Sequence, residues 1–277
     1  MLYMENVEYL IEAIPYINKF YGKTIVIKYG GNAMIDEDLK QMVIKNIVLL
    51  KYVGINVIIV HGGGPDINRE LKNYNIKPSF KDGMRVTDLE AMKIVKKVLI
   101  GKTNSDIVNI INKQGVKAIG ISGIDGNFIL CNQLDKELGY VGNIVNINCE
   151  LIQDIIDIGY IPVIAPIGVG KDGEIYNINA DVVASKIAIS IKAEKLILLT
   201  DVDGVKVKDE VMSILDEKKI NDLIDEKVIT GGMIPKVQSC LGCIKNGVKR
   251  VHIINGCKNN SLLLEMFTDN GVGTMIL

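Results

Sequence analysis

The chain has almost no net charge: 32 basic residues against 33 acidic ones leave −1 at neutral pH, with a pI near 6.2. That balance removes the broad electrostatic case for a nucleic-acid or anionic-membrane partner, while leaving room for a local anion site. It also lacks any apolar run near the roughly 18 residues that a membrane span requires. Its apolar residues come instead in short packets such as Ile25–Ile27, Val57–Val60 and Leu196–Leu199. The first twenty residues mix Glu5, Glu8, Glu12 and Lys19 into an amphipathic pattern, without the basic start and apolar middle of a signal peptide. Cysteine is scarce and odd in number, five in 277 residues, so a disulfide framework is not expected and a reducing cytoplasm is. What is plentiful is apolar content, at 48%, which excludes a mostly disordered chain. A chain of this length can bury roughly 75% of its extended surface without help from metal or disulfides.

A short β-branched run, a glycine-rich turn and a helix recur along the sequence. Thr24–Lys28 reads as a strand leading into Gly30 and Gly31, and a helix capped by Asp36 follows, stopping near Gly54. Val57–Val60 leads in the same way into His61-Gly-Gly-Gly-Pro65 and another helix. Thr87 and Glu90 have capping-box spacing, ahead of a helix bearing Met92, Val95 and Leu99 and a second short helix over Thr103–Asn112. Ala118–Ile121, Ile161–Ala165, Leu196–Leu199 and Arg250–Ile254 supply further buried strands. Strands apolar on both faces and separated by helices predict an α/β fold, with a mostly parallel sheet covered on both sides. Ile167–Ile178 breaks the rhythm as a hairpin turning at Lys171-Asp-Gly173. A lobe boundary is expected near residue 178, before a helix over Asn179–Lys192.

The two glycine turns let backbone amides approach an anion with no Cβ in the way, at helix N-termini whose field favours negative charge. Neither is a Walker A loop, and no strand–GxGxxG–helix pattern is present; Gly168-Val-Gly170 lies in the hairpin. Lys28 adjoins the first glycine pair, and Lys236 ends Thr230-Gly-Gly-Met-Ile-Pro-Lys236, where Pro235 suits a helix's first turn. Two lysines reaching one site would stabilise a phosphoryl group in transfer; on the surface each is only a solvated charge. Asp181 could pair with them or act as an ordinary first-turn acid. Arg85 could clamp a carboxylate in two-pronged fashion or form a surface ion pair. Asn177 offers donors and an acceptor suited to an amide or carboxylate ligand.

Seven stretches bear a likeness in order: IVIKYGGNAM at Ile25–Met34, IVHGGGP at Ile59–Pro65, GMRVTD at Gly83–Asp88, QLDKELGYVG at Gln133–Gly142, NINAD at Asn177–Asp181, LILLTDVDGV at Leu196–Val205 and TGGMIPKV at Thr230–Val237. Together they resemble the N-acetylglutamate kinases within the amino-acid (carbamate-kinase-like) kinase superfamily. The resemblance implies a three-layer αβα sandwich. It implies transfer of the ATP γ-phosphoryl group to the side-chain carboxylate of N-acetyl-L-glutamate, a step toward arginine. Lys28, Lys236 and Asp181 would be catalytic, with Asp181 ordering the lysines. Gly63, Gly64, Arg85 and Asn177 would hold the acetylated amino acid, and amides around Gly30, Gly31 and Gly64 the phosphoryl oxygens. Thr200, Asp201, Asp203, Gly231 and Gly232 would meet the nucleotide, with Asp201 or Asp203 either serving the ribose or capping a turn. Mg²⁺ would arrive on the nucleotide phosphates, and neither a protein metal site nor a tightly bound prosthetic group is implied. Since the acceptor is already a carboxylate, no strong base is needed and His61 is not assigned as one. Residues 23–178 would form the acetylglutamate-binding and dimerisation lobe and 179–277 the ATP-binding lobe. Ile124 stands where the family pattern has a lysine, and Asn143–Asn148 lacks its usual acidic character.

Residues 1–22 form a helical extension whose apolar residues suit packing, interrupted or bent near Pro15. It resembles the extension of arginine-inhibited members, in which three dimers join into a hexamer. Tyr16, His252, Glu265 and Gly271 fall where that resemblance places contacts to L-arginine. Cys240, Cys243, His252 and Cys257 have crude zinc spacing, but Met233–Asn246 reads as one helix that would bury both Cys240 and Cys243. Two rivals to the kinase reading stand beside it: a kinase for another carboxylate or carbamate, and a nucleotide-binding regulatory protein without turnover.

Overall fold

A computed structural model describes residues 2–208, 210–269 and 271–277. Helix α1 (Leu2–Phe20) leads into β1 (Thr24–Tyr29), a 3₁₀ turn at Gly31–Met34 and α2 (Glu37–Tyr52), which Asp36 caps through the Leu39 amide at 2.9 Å. Next come β2 (Asn56–His61), α3 (Gly64–Asn73) and a small hairpin of β3 (Phe80–Lys81) and β4 (Met84–Arg85). Helices α4 (Leu89–Lys96) and α5 (Ser105–Lys113) are joined without a break by a π-helical stretch, Lys97–Asn104, where two separate helices were expected. The cap is Asp88, which accepts from the Ala91 amide at 2.8 Å; Thr87 gives its hydroxyl to the Arg85 carbonyl instead, so the capping box does not form.

The middle of the chain adds β5 (Ala118–Ser122), β6 (Ile129–Gln133), β7 (Gly142–Ile147), α6 (Glu150–Asp157), β8 (Ile161–Ala165), and the expected hairpin as β9 (Ile167–Gly170) and β10 (Ile175–Asn177). Then follow α7 (Ala180–Ser190), β11 (Lys195–Thr200), a ribbon of β12 (Lys206–Val207) and β13 (Glu210–Val211), β14 (Ile214–Leu215), α8 (Glu217–Asp225), α9 (Met233–Lys245), β15 (Val251–Asn255), α10 (Ser261–Phe267) and β16 (Thr274–Ile276).

The main sheet orders its strands β14-β16-β15-β11-β1-β2-β8-β5, parallel throughout except for β15 against β16. Alternation along each strand splits its side chains between two cores. Val26, Ile58, Val60, Leu196 and Leu198 pack with α6, α7, α8 and α9 on one face. Ile25, Ile27, Val57, Ile59, Ile197 and Leu199 pack with α2, α5 and α10 on the other. The result is the three-layer sandwich, with both sheet faces apolar because both are covered. A second sheet, β10-β9-β6-β7, joins the expected hairpin to β6 and β7, which were not expected because Asn132, Gln133, Asn143 and Asn146 break their apolar pattern.

At the N-terminus, α1 continues past Pro15 as one helix rather than being interrupted there. Near its end Phe20 is buried and Tyr16 lies against the core, whereas Leu10, Ile11 and Ile14 are exposed. Cys240 and Cys243 are buried on α9, on the sheet face that Val251 and Ile253 share. His252, one residue out of phase on β15, points to the opposite face, so the cysteines and this histidine cannot share a metal. Among the described residues no three His, Cys, Asp or Glu side chains gather as a metal cage.

Candidate active site

Because β1 and β2 are parallel neighbours with Tyr29 opposite His61, their two glycine turns emerge side by side at one edge of the sheet. In open α/β sheets this edge, beyond the strand carboxyl ends, is where ligands bind. Gly31 has φ +73°, and a Cβ there would also strike the Asp201 carboxylate. Asp201, at the end of the neighbouring β11, accepts from the Asn32 amide at 2.6 Å and so ties down the 3₁₀ turn. This turn cap comes from 169 residues away in the chain.

Lys28 shares the β1 face of Val26 and reaches toward α7. Asn179 caps that helix by accepting from the Asp181 amide at 2.8 Å, which sets Asp181 in its first turn. Asp181 lies between two cations: Lys28 Nζ is 3.0 Å from Oδ1 and Lys236 Nζ, in the first turn of α9, is 3.6 Å from Oδ2. Burial pushes the Asp181 carboxyl up, but Lys28 and then Lys236 outweigh it, and the net shift is downward. The cluster therefore holds two positive charges against one negative, at the mouth of a cleft.

That cleft, of ≈ 310 Å³, is lined by Lys28, Gly30, Gly31, Gly63, Gly64, Arg85, Asn177 and Asp181 among others, uniting the residues expected to hold the acceptor and the phosphoryl oxygens with two of the three expected to be catalytic. Arg85 lies 4.8 Å over the Phe80 ring, and its Nη2 donates to Asn68 Oδ1 at 2.7 Å. Its Nη1 is buried without a partner, and burial lowers the affinity of the guanidinium for its proton. An unpaired, buried cationic donor is costly unless a ligand's acceptor meets it. Asn177 donates to Thr87 Oγ1 at 3.3 Å. Asn68 and Phe80 hold Arg85, and no sequence motif pointed to them; Thr87, expected as half of a capping box, holds Asn177 instead. His61 is fully buried with both ring nitrogens engaged, and burial pushes its pKa down to about 4.

Lys236, Gly231 and Gly232 line an adjoining opening of ≈ 680 Å³ that also reaches Asp181. Asp201 and Asp203 line a third, of ≈ 370 Å³. Asp203 is held by Lys258 at 2.8 Å, Asn255 at 2.9 Å and Lys206 at 3.1 Å, which keeps its carboxyl far below the usual carboxylate range. Thr200 lines none of these openings; its buried hydroxyl accepts from the Val202 amide at 3.1 Å.

On the other side of the molecule Tyr16, His252, Glu265 and Gly271 meet in one cleft of ≈ 270 Å³, walled also by Lys19, Lys195, Arg250 and Asp269. His252 Nδ1 donates to Glu265 Oε1 at 2.6 Å, and the Val272 amide donates to Oε2 at 2.8 Å. Burial pushes the Glu265 carboxyl up, but the His252 and Val272 bonds and nearby Lys195 bring it below its usual value. Burial lowers His252 despite Glu265, and pushes Lys195 down to about 8.

Residues 23–255 match the amino acid kinase family. The acetylglutamate kinase of Caldicellulosiruptor saccharolyticus is 52% identical over 283 residues, covering 99% of this chain and 97% of that one. That of Caldanaerobacter subterraneus subsp. tengcongensis is 54% identical over 273 residues, covering 96% and 91%. Among solved structures, N-acetylglutamate synthase from Neisseria gonorrhoeae, complexed with coenzyme A and N-acetyl-glutamate, superposes with a TM-score of 0.87 at 26% identity, over 98% of this chain and 63% of that one.

Proposed function

Since the chain belongs to the amino acid kinase family, as an acetylglutamate kinase, we propose that the Lys28–Asp181–Lys236 cluster is where the phosphoryl group changes hands. The enzyme phosphorylates the side-chain carboxylate of N-acetyl-L-glutamate with ATP, in arginine biosynthesis. Its acceptor is an anion at neutral pH, so positioning and charge neutralisation are the main tasks. Lys28 and Lys236 flank the transferring group and stabilise the charge spread over its equatorial oxygens. Asp181 keeps their ammonium groups converged against their mutual repulsion. Amides around Gly30, Gly31 and Gly64 receive phosphoryl oxygens.

Arg85, with Gly63, Gly64 and Asn177, holds the acceptor; the unpaired Nη1 supports this reading, because a substrate carboxylate is the partner it lacks. Gly231, Gly232 and Asp203 attend the nucleotide, with Asp201 acting through the glycine turn it caps and Thr200 through the Val202 amide that its buried hydroxyl holds. Mg²⁺ belongs to the nucleotide, where it neutralises phosphate charge. In this assignment 23–178 is the acceptor and dimerisation lobe and 179–277 the ATP lobe. The observation behind it is the single carboxylate bridging two lysines, one from strand β1 and one from helix α9, at 3.0 and 3.6 Å. ADP release measured over a panel of acetylated amino acids, free carboxylates and carbamate tests it: turnover should require N-acetyl-L-glutamate, and release indifferent to the acceptor would overturn it.

L-arginine is the ligand we assign to the cleft of Tyr16, His252, Glu265 and Gly271. Walls of both charge signs suit a zwitterion with a cationic side chain. The exposed Leu10, Ile11 and Ile14 of α1 support assembly of three dimers into a hexamer through this helix. Five free thiols suit the cytoplasm. Deleting residues 1–20 should lower the assembly mass and abolish arginine inhibition; a truncated protein with unchanged mass and sensitivity would remove α1 from this role.

A further inference from the structure

The buried polar group that the chemistry leaves unused is His61, joined to Asn104 across 43 residues. Asn104 belongs to the π-helical stretch, and both of its amide hydrogens are spent: one on His61 Nε2 at 3.1 Å, the other on the Val163 carbonyl at 2.9 Å. Reversing that amide would set Oδ1 against the Val163 oxygen, acceptor facing acceptor, so the carbonyl fixes its orientation. An Asn104 that donates makes Nε2 the acceptor, which leaves the proton on Nδ1. Nδ1–H in turn donates to the Gly62 carbonyl at 2.7 Å. Space for the relay is made by Gly120, where any Cβ would collide with Asn104 Oδ1.

We propose that His61 and Asn104 are positioning residues that orient the Gly62–Gly63 peptide toward the substrate. In a trans peptide the carbonyl and the following N–H point in opposite directions. Holding the Gly62 carbonyl against the ring therefore turns the Gly63 N–H away from it, toward the cleft that Gly62, Gly63 and Gly64 line. The Gly62 amide is fixed from the other side by the Tyr29 carbonyl at 2.7 Å, so neither end of the residue is left to rotate. A donor pre-aimed in this way stabilises charge without reorganising during the reaction. The ring stays neutral because burial opposes its charged form. This inference rests on the reading of the Gly62–Gly64 turn as part of the acceptor and phosphoryl site.

The chain has two histidines, so ¹⁵N-histidine labelling resolves each imidazole, with His252→Gln identifying the second. In the unliganded protein at neutral pH, His61 should show protonated Nδ1 and bare Nε2. The reverse tautomer would overturn the relay whatever the kinetics. Asn104→Leu and His61→Leu should each lower kcat by roughly tenfold to a hundredfold, toward the loss of one oxyanion donor, with the KM for ATP held near wild type. His61→Asn places an amide N–H where Nδ1 stood and should recover kcat to within about fivefold, whereas His61→Gln, which reaches only the Nε2 position, should not. Wild-type kcat in Asn104→Leu, with lowered thermal stability alone, would overturn the positioning role. Gly64→Ala, whose added Cβ meets no other atom of the fold, tells the two failures apart: normal kinetics there as well would place the fault in the reading of the glycine turn.

Discussion

Two clefts of this molecule are each built around one carboxylate, and the two carboxylates are held in opposite ways. Asp181 has two lysines, one from β1 and one from α9, and faces an open cleft. Glu265 has a neutral histidine and a backbone amide, and is itself almost buried. In the first cluster the carboxylate is outnumbered and the local excess is positive, so an arriving polyanion meets attraction that Asp181 moderates without cancelling. In the second, both carboxylate oxygens have donors but the negative charge itself is not neutralised, and the neighbouring wall carries Lys195 and Arg250. One arrangement suits transient charge on a phosphoryl group; the other suits a ligand bearing both signs.

Removing one member of the lysine pair should separate the two clusters most sharply. Lys28→Ala is expected to lower kcat by roughly 10²–10³ with little change in the KM for N-acetylglutamate, because its charge matters most as the transition state forms. A change confined to KM would move Lys28 out of the transfer step. Acid should distinguish the histidines from the carboxylates. His61, held at about 4 against 6.5 when unfolded, and His252, also lowered, bind protons more readily in the unfolded chain. Stability is thus complete above 6.5 and falls as pH drops toward 4, by about 3 kcal/mol for His61 alone. Asp181, lowered from 3.8, should hold its share until more acidic pH. Urea unfolding across this range tests the order: flat stability between 6.5 and 4 would mean the histidines are not buried neutral.

Arg85→Lys keeps the charge but loses the planar fork, and kcat/KM for the acceptor should fall about 10- to 100-fold. Wild-type kcat/KM would place Arg85 outside the acceptor site. Smallest is Glu265→Gln, for which arginine affinity by calorimetry should fall about tenfold. Unchanged affinity would leave the second cluster a purely structural pair.

The cleft beside Lys28 was more legible in the sequence than its surroundings for a physical reason. Strands apolar on both faces and glycines directly after them are local signals, and they brought Lys28, Gly30, Gly63 and Gly64 to one sheet edge. Contacts that join distant segments leave no such trace. Asp201 capping Asn32, Asn68 holding Arg85 and Val163 orienting Asn104 are each set by tertiary packing. The capping box failed by one residue because Thr87 and Asp88 both suit a cap, and the Thr87 hydroxyl was drawn to the Arg85 carbonyl and to Asn177. Pro15 did not break α1, although a proline inside a helix removes one backbone hydrogen bond.

Strand β1 belongs by sequence to the first half of the chain, yet it is clasped between β2 on one side and β11 on the other. Dividing the protein before Asn179 would strip Ile25–Lys28 of the Lys195–Leu198 partners and leave a bare apolar strand edge, a template for aggregation. The halves therefore share one continuous sheet, and heat should melt them in a single transition.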